Sequence, residues 1–159
     1  MQDLSGSFVA LVTPMFENGD IDYVSLKNLI DWHFHSGTDG IVSVGTTGES
    51  ATINFNDHHD VLKETLNIIN GRMIAIAGTG ANSTEEAKDL SLEAERIGYK
   101  YSLSVTPYYN KPTQKGLIEH YEYITGKSEI SQILYNVPSR TACDMAVSYT
   151  HLRAHETTV

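Results

Sequence analysis

One cysteine, Cys143, stands alone in the chain, so no internal disulfide can form, which suits a reducing cytoplasm. No zinc-type spacing surrounds it, and a small, partly buried side chain is expected there. No stretch approaches the roughly 18 apolar residues that would span a bilayer. The opening MQDLSGSFVALVTP has neither a basic leading segment nor a small-residue cleavage site, so a signal peptide is not expected. Bases are scarce: 11 Lys and Arg against 20 Asp and Glu give a net charge of −9. With no basic stripe, charge argues against nucleic acid and anionic membrane as partners. What is there is 159 residues, 40% of them hydrophobic, enough to bury the core of one globular unit.

Apolar runs alternate with helical periodicity along the chain. Ser7 to Met15, Gly40 to Gly45, Met73 to Gly78, Tyr101 to Thr106 and Gln132 to Val137 read as buried strands. Between them lie four predicted helices. Asp22 caps the first, whose Leu26, Leu29, Ile30 and Phe34 face inward before Gly37 ends it. The second spans about Asn56 to Ile69, with Leu62, Leu66 and Ile69 on one face and Gly71 beyond its end. Ser83 and Glu86 make a capping box for the third, which closes at Gly98. Thr113 caps the fourth, with Leu117, Tyr121 and Ile124 inward. One strand and one helix recur about every 30 residues, which demands a parallel sheet with right-handed crossovers. Two closures are open at this point, a doubly wound sheet and a piece of a (β/α)₈ barrel.

Polar clusters gather where strands end. IVSVGTTGES, Ile41 to Ser50, empties a strand into a glycine-bounded threonine pair whose hydroxyls and N–H groups suit a carboxylate or phosphate. The loop GTGANST has Gly78, Gly80 and Ser83, a G-x-G-x-x-S that lacks the third glycine of a dinucleotide fingerprint. The pairs His33/His35 and His58/His59 cannot share a helical face and are expected on solvated surface.

Read together, SVGTTGESATI, AGTGANST, VTPYYNKP and ILYNVPSRTACD resemble the 4-hydroxy-tetrahydrodipicolinate (dihydrodipicolinate) synthases, within the pyruvate-dependent Schiff-base aldolases and lyases. The resemblance covers about Ser5 to Asp144. It implies an α/β TIM-barrel fold, here the first five or so βα units, and a lyase of lysine and diaminopimelate biosynthesis that condenses pyruvate with aspartate 4-semialdehyde. It implies no cofactor and no metal. It gives Thr47 and its turn to the pyruvate carboxylate, and Arg140 to the carboxylate of the semialdehyde. Thr46, Tyr135 and Tyr109 become a hydroxyl relay, with Tyr135 moving protons and Tyr109 supplied across a tight dimer interface. A dimer of dimers is implied for the family. A pyruvate-dependent aldolase of the N-acetylneuraminate lyase type is the alternative within the superfamily. A doubly wound phosphate- or nucleotide-binding domain, or a half-barrel pairing with another chain, are alternatives outside it.

The chain departs from this pattern twice. The implied nucleophile is a lysine on a sixth strand, yet the seven lysines, at 27, 63, 88, 100, 111, 115 and 127, all fall in predicted helices or loops. After about Met145, AVSYTHLRAHETTV does not continue the pattern. Residues 1–145 are therefore expected to be the N-terminal part of a synthase barrel and 146–159 a divergent, non-native tail. His151 and His155 in that tail imitate a metal pair and are discounted. The expectation is a fragment without the Schiff-base lysine, and so without activity.

Overall fold

Asp22 opens α1, Tyr23–His35, by accepting the Ser25 amide proton at 3.0 Å. The structure is a computed structural model that describes residues 4–146. Of the expected tail, residues 147–159, with His151 and His155, lie outside the described residues. Asn54 caps α2, Phe55–Ile69; Ser83 caps α3, Thr84–Ile97; and Thr113 caps α4, Gln114–Thr125. Each cap accepts an amide from the first turn, which spares an orphan donor. A one-turn α5, Pro138–Thr141, has Pro138 at its start, where the missing N–H costs nothing.

The strands are β1 Phe8–Ala10, β2 Gly40–Ser43, β3 Ile74–Gly78, β4 Tyr101–Val105 and β5 Ser131–Tyr135. All pair in parallel, in the order β1-β2-β3-β4-β5. That order decides between the two closures. A doubly wound sheet reverses strand order at a switch point, whereas right-handed crossovers between strictly successive neighbours leave every helix on one face. The five units are thus a partial (β/α)₈ barrel, and the doubly wound alternative is overturned by the strand order.

The two faces differ accordingly. Ile41, Val44 and Ala77 point outward and pack with Leu26 and Ile30 of α1, Val61, Leu62 and Ile69 of α2, and Ala94 of α3, forming the main core. Leu117, Tyr121 and Ile124 of α4 extend this layer against Ala87 and Leu134. On the other face only strand residues meet: Val42, Ile76 and Tyr101, flanked by half-buried Phe8, Ile74, Leu103 and Ile133. This is the face that lines a barrel axis, with side chains from neighbouring strands in register.

Two helix-face expectations need correction. His58 is not solvated: it is 3% exposed, and its Nε2 lies 2.8 Å from the Gly78 carbonyl. Desolvation lowers its pKa, so the neutral ring donates from Nε2. Phe34, expected inward, is 37% exposed at the end of α1, with the Arg72 guanidinium 4.8 Å above its ring.

Candidate active site

At the carboxyl ends of the strands the backbone is drawn together by glycine. A methyl group built on Gly78 would overlap the Val44 carbonyl and come within 2.8 Å of the Gly45 nitrogen, and one on Gly80 within 2.8 Å of the Val105 Cγ1. The G-x-G of the third loop therefore lets the ends of β2, β3 and β4 touch, a use of glycine that needs no nucleotide. Thr13, past the end of β1, donates its hydroxyl to the Gly48 carbonyl at 2.8 Å and fastens the threonine loop from the other side. Within that loop the amides of Glu49, Ser50 and Thr52 return to the carbonyls of Thr46, Gly45 and Glu49. The amides of Thr46, Thr47 and Gly48 have no acceptor among the described hydrogen bonds, which leaves three consecutive donors in a turn that is exposed at Thr47 and buried at Gly48.

Beside this loop is a cleft of about 320 Å³, whose wall includes Thr46, Glu49, Ser50, Tyr108, Arg140 and Thr141. A smaller hollow beneath it is walled by Gly45, Gly78, Leu103 and Tyr135, and shares Thr46, Ser50 and Val105 with the cleft. Thr46 thus stands between the space reached by Arg140 and the space reached by Tyr135. Burial, with a smaller push from Glu86, raises the Tyr108 phenol above its ordinary value.

Of the residues named from the sequence, Thr46, Tyr135 and Arg140 come together at these two spaces. Thr47 belongs to the donor loop but is exposed and lines neither. Tyr109 is 90% exposed, has φ 71° and also lines neither. No described hydrogen bond joins the hydroxyls of Thr46, Tyr109 and Tyr135. No lysine lines the cleft or the hollow: Lys111 sits in the exposed loop after β4, and Lys100 is at the amino end of that strand. Among the described residues no group of three or more His, Cys, Asp or Glu could hold a metal ion, and no helix is long and apolar enough to cross a membrane.

Reading the sequence missed the supports. Thr106, fully buried, takes its amide to the Tyr135 carbonyl at 3.0 Å and its hydroxyl to Thr141 Oγ1 at 3.3 Å, so one residue links the strand end that carries Tyr135 to the turn that carries Arg140. Thr141 also accepts the Cys143 amide at 3.2 Å. The Asn136 side chain holds Met145 through its amide at 3.1 Å, and Gln114 holds Ala146 at 2.9 Å. The only signal for these was their place directly after strands, in loops rich in hydroxyls and amides.

Residues 3–156 match the Dihydrodipicolinate synthetase family. The 4-hydroxy-tetrahydrodipicolinate synthase of Nitrosospira multiformis is 55% identical over 143 residues, covering 90% of this chain and 48% of that protein. The crystal structure of dihydrodipicolinate synthase from Aquifex aeolicus superposes with a TM-score of 0.92 at 46% identity, covering 95% of this chain and 51% of that one. The chloride-inhibited dihydrodipicolinate synthase of Acinetobacter baumannii, complexed with pyruvate, gives a TM-score of 0.92 at 49% identity, covering 97% and 53%. The chain spans about half the length of the curated relatives it matches.

Proposed function

The chain belongs to the Dihydrodipicolinate synthetase family, and from that membership we propose that its carboxyl-end cleft is the substrate-holding part of a lyase that condenses pyruvate with aspartate 4-semialdehyde. The observation that carries this reading is the convergence of Thr46, Tyr135 and Arg140 on two adjoining spaces beside three consecutive amides that have no acceptor among the described hydrogen bonds. The amides of Thr46, Thr47 and Gly48 take the carboxylate of pyruvate, as an oxyanion cradle does. Arg140 offers the second substrate's carboxylate a planar fork. Thr46 and Tyr135, sharing one hollow, pass protons between hydroxyls once a ligand bridges them. Tyr109, almost wholly exposed, is presented to a second copy of the chain in a dimer, with dimers pairing into a tetramer. The names of relatives at 50–57% identity favour this synthase over an N-acetylneuraminate lyase-type aldolase.

The amine that attacks the ketone of pyruvate is not among the residues that line the site, so this chain binds without forming the Schiff base. Borohydride treatment with pyruvate, followed by intact mass measurement, is expected to leave the chain unmodified, while pyruvate shifts the amide resonances of Thr46 to Gly48. A stable pyruvate adduct on any of the seven lysines would overturn the inactive reading, and unmoved amides would overturn the binding reading.

A further inference from the structure

The cleft holds one charge of each sign. Among its lining residues Glu49 is the only acid and Arg140 the only base, and neither forms an ion pair or a side-chain hydrogen bond among the described residues. Glu49 is firmly placed by its backbone. It sits at φ 63°, its amide reaches the Thr46 carbonyl at 3.2 Å, and its carbonyl accepts both the amide and the hydroxyl of Thr52 at 3.0 Å. Both residues are exposed at the cleft wall, so the Glu49 carboxylate weakly opposes a simple carboxylate that Arg140 attracts, unless the ligand also brings a positive group to it. A ligand with both an ammonium and a carboxylate satisfies both walls at once.

Resting on the reading of Arg140 as the carboxylate holder, we propose that Glu49 takes the α-ammonium of the second substrate, so that the cleft selects a zwitterionic α-amino acid over the same carbon skeleton without its amine. Two probes differ by that group alone: L-homoserine, and 4-hydroxybutyrate, which lacks the amine. Titrated into the full chain and followed by NMR, L-homoserine is expected to bind about fivefold tighter, the size of one partly exposed charge pair. In Glu49→Gln the ratio falls to about one, and Glu49→Asp keeps most of it. Arg140→Gln weakens both probes and preserves their order.

A wild-type ratio of one, absence of binding by both probes, or a ratio that survives Glu49→Gln would overturn the proposal. So would equal weakening of both probes by Glu49→Gln, which would mark a structural role. Pyruvate is titrated in parallel: if it still moves the amides of Thr46 to Gly48 while the ratio is one, the function proposed above stands and only the role of Glu49 falls. If pyruvate moves nothing, both fall.

Discussion

Substituting Gly78 by alanine tests whether the site depends on close backbone approach. The new Cβ would stand 2.6 Å from the Val44 carbonyl carbon and 2.8 Å from the Gly45 nitrogen, where nonbonded carbon contacts favour about 3.5–4.0 Å. Both obstacles are main chain, so no rotamer change relieves them. Gly78 has no positive φ, so alanine suffers no intrinsic backbone penalty, and the whole cost is steric. Overpacking of this kind costs about 1–3 kcal/mol, and because β2 must move as a unit the upper end is expected. Gly71→Ala is the matching control: nothing lies within 4 Å of its Cβ, but its φ is +75°. There the cost is conformational alone, about 1 kcal/mol. Denaturant unfolding of both variants gives the two costs, and amide spectra with pyruvate give their effect on the threonine loop. Gly78→Ala is expected to displace the resonances of Gly45 to Gly48 and abolish pyruvate binding, whereas Gly71→Ala leaves them in place. A Gly78→Ala chain as stable as wild type, or one that binds pyruvate unchanged, would refute the reasoning.

Ala142 caps α5 with φ 52°, a left-handed conformation that glycine adopts freely, so Ala142→Gly is expected to stabilise the chain by about 1 kcal/mol, read as a higher denaturant midpoint. Thr13→Val removes the buried hydroxyl donor to Gly48 while keeping its volume; a loss of about 1 kcal/mol is expected, with faster hydrogen exchange across residues 46–48. His120 is 5% exposed, has Nδ1 2.8 Å from Thr84 Oγ1 and leaves Nε2 without a partner. Desolvation lowers its pKa to about 4. A base depressed in the folded state protonates first when unfolded, so its penalty is absent above about pH 6.5 and grows as pH falls towards 4. At 1.36 kcal/mol per pH unit, wild type should lose about 2 kcal/mol more between pH 6.5 and 5 than His120→Gln, as measured by denaturation at each pH.

Much of the fold could be read from residue order, because caps and periodicity act locally. Asp22, Ser83 and Thr113 accept first-turn amides where the sequence placed them, and Gly37 and Gly98 take the positive φ expected past helix ends. Strand ends were overrun. The run Ser7 to Met15 looks like one strand, but the ladder stops at Ala10, and Met15 bridges antiparallel to Ile21. Apolar residues there serve loop packing, which period-two reasoning cannot separate from a strand. His58 was misplaced for a different reason. It falls four, seven and eleven residues before Leu62, Thr65 and Ile69, on the buried stripe of α2, and that His58 and His59 point to different faces leaves open which of the two is buried. In the site, Thr46, Tyr135 and Arg140 could be named because they follow strands. Thr106 and Thr141 could not, since their roles arise from a contact between segments 35 residues apart.

Left-handed backbone is carried mostly by glycine at the amino end of the sheet and mostly by residues with side chains at the carboxyl end. Gly6, Gly37, Gly71 and Gly98, which precede β1 to β4, take positive φ at the amino end, as does Asn70 at the end of α2. At the carboxyl end Gly19 takes it in the loop after β1, and the rest are Val44, Glu49, Tyr109, Lys111 and Ala142, all with side chains and all in or beside the loops that surround the cleft. Each such residue costs of order 1 kcal/mol or more relative to glycine. Around the cleft, then, the strain falls on residues that present side chains, whereas four of the five left-handed residues at the amino end are glycine. Val44 makes the point best, because a β-branched residue at φ 51° is fully buried and has no chemistry of its own. Its carbonyl is the group that Gly78 admits, and its turn sends Thr46 over the hollow shared with Tyr135. The strain at Val44 is therefore borne for the position of the threonine loop, which is why the Gly78 substitution should act on ligand binding and stability together.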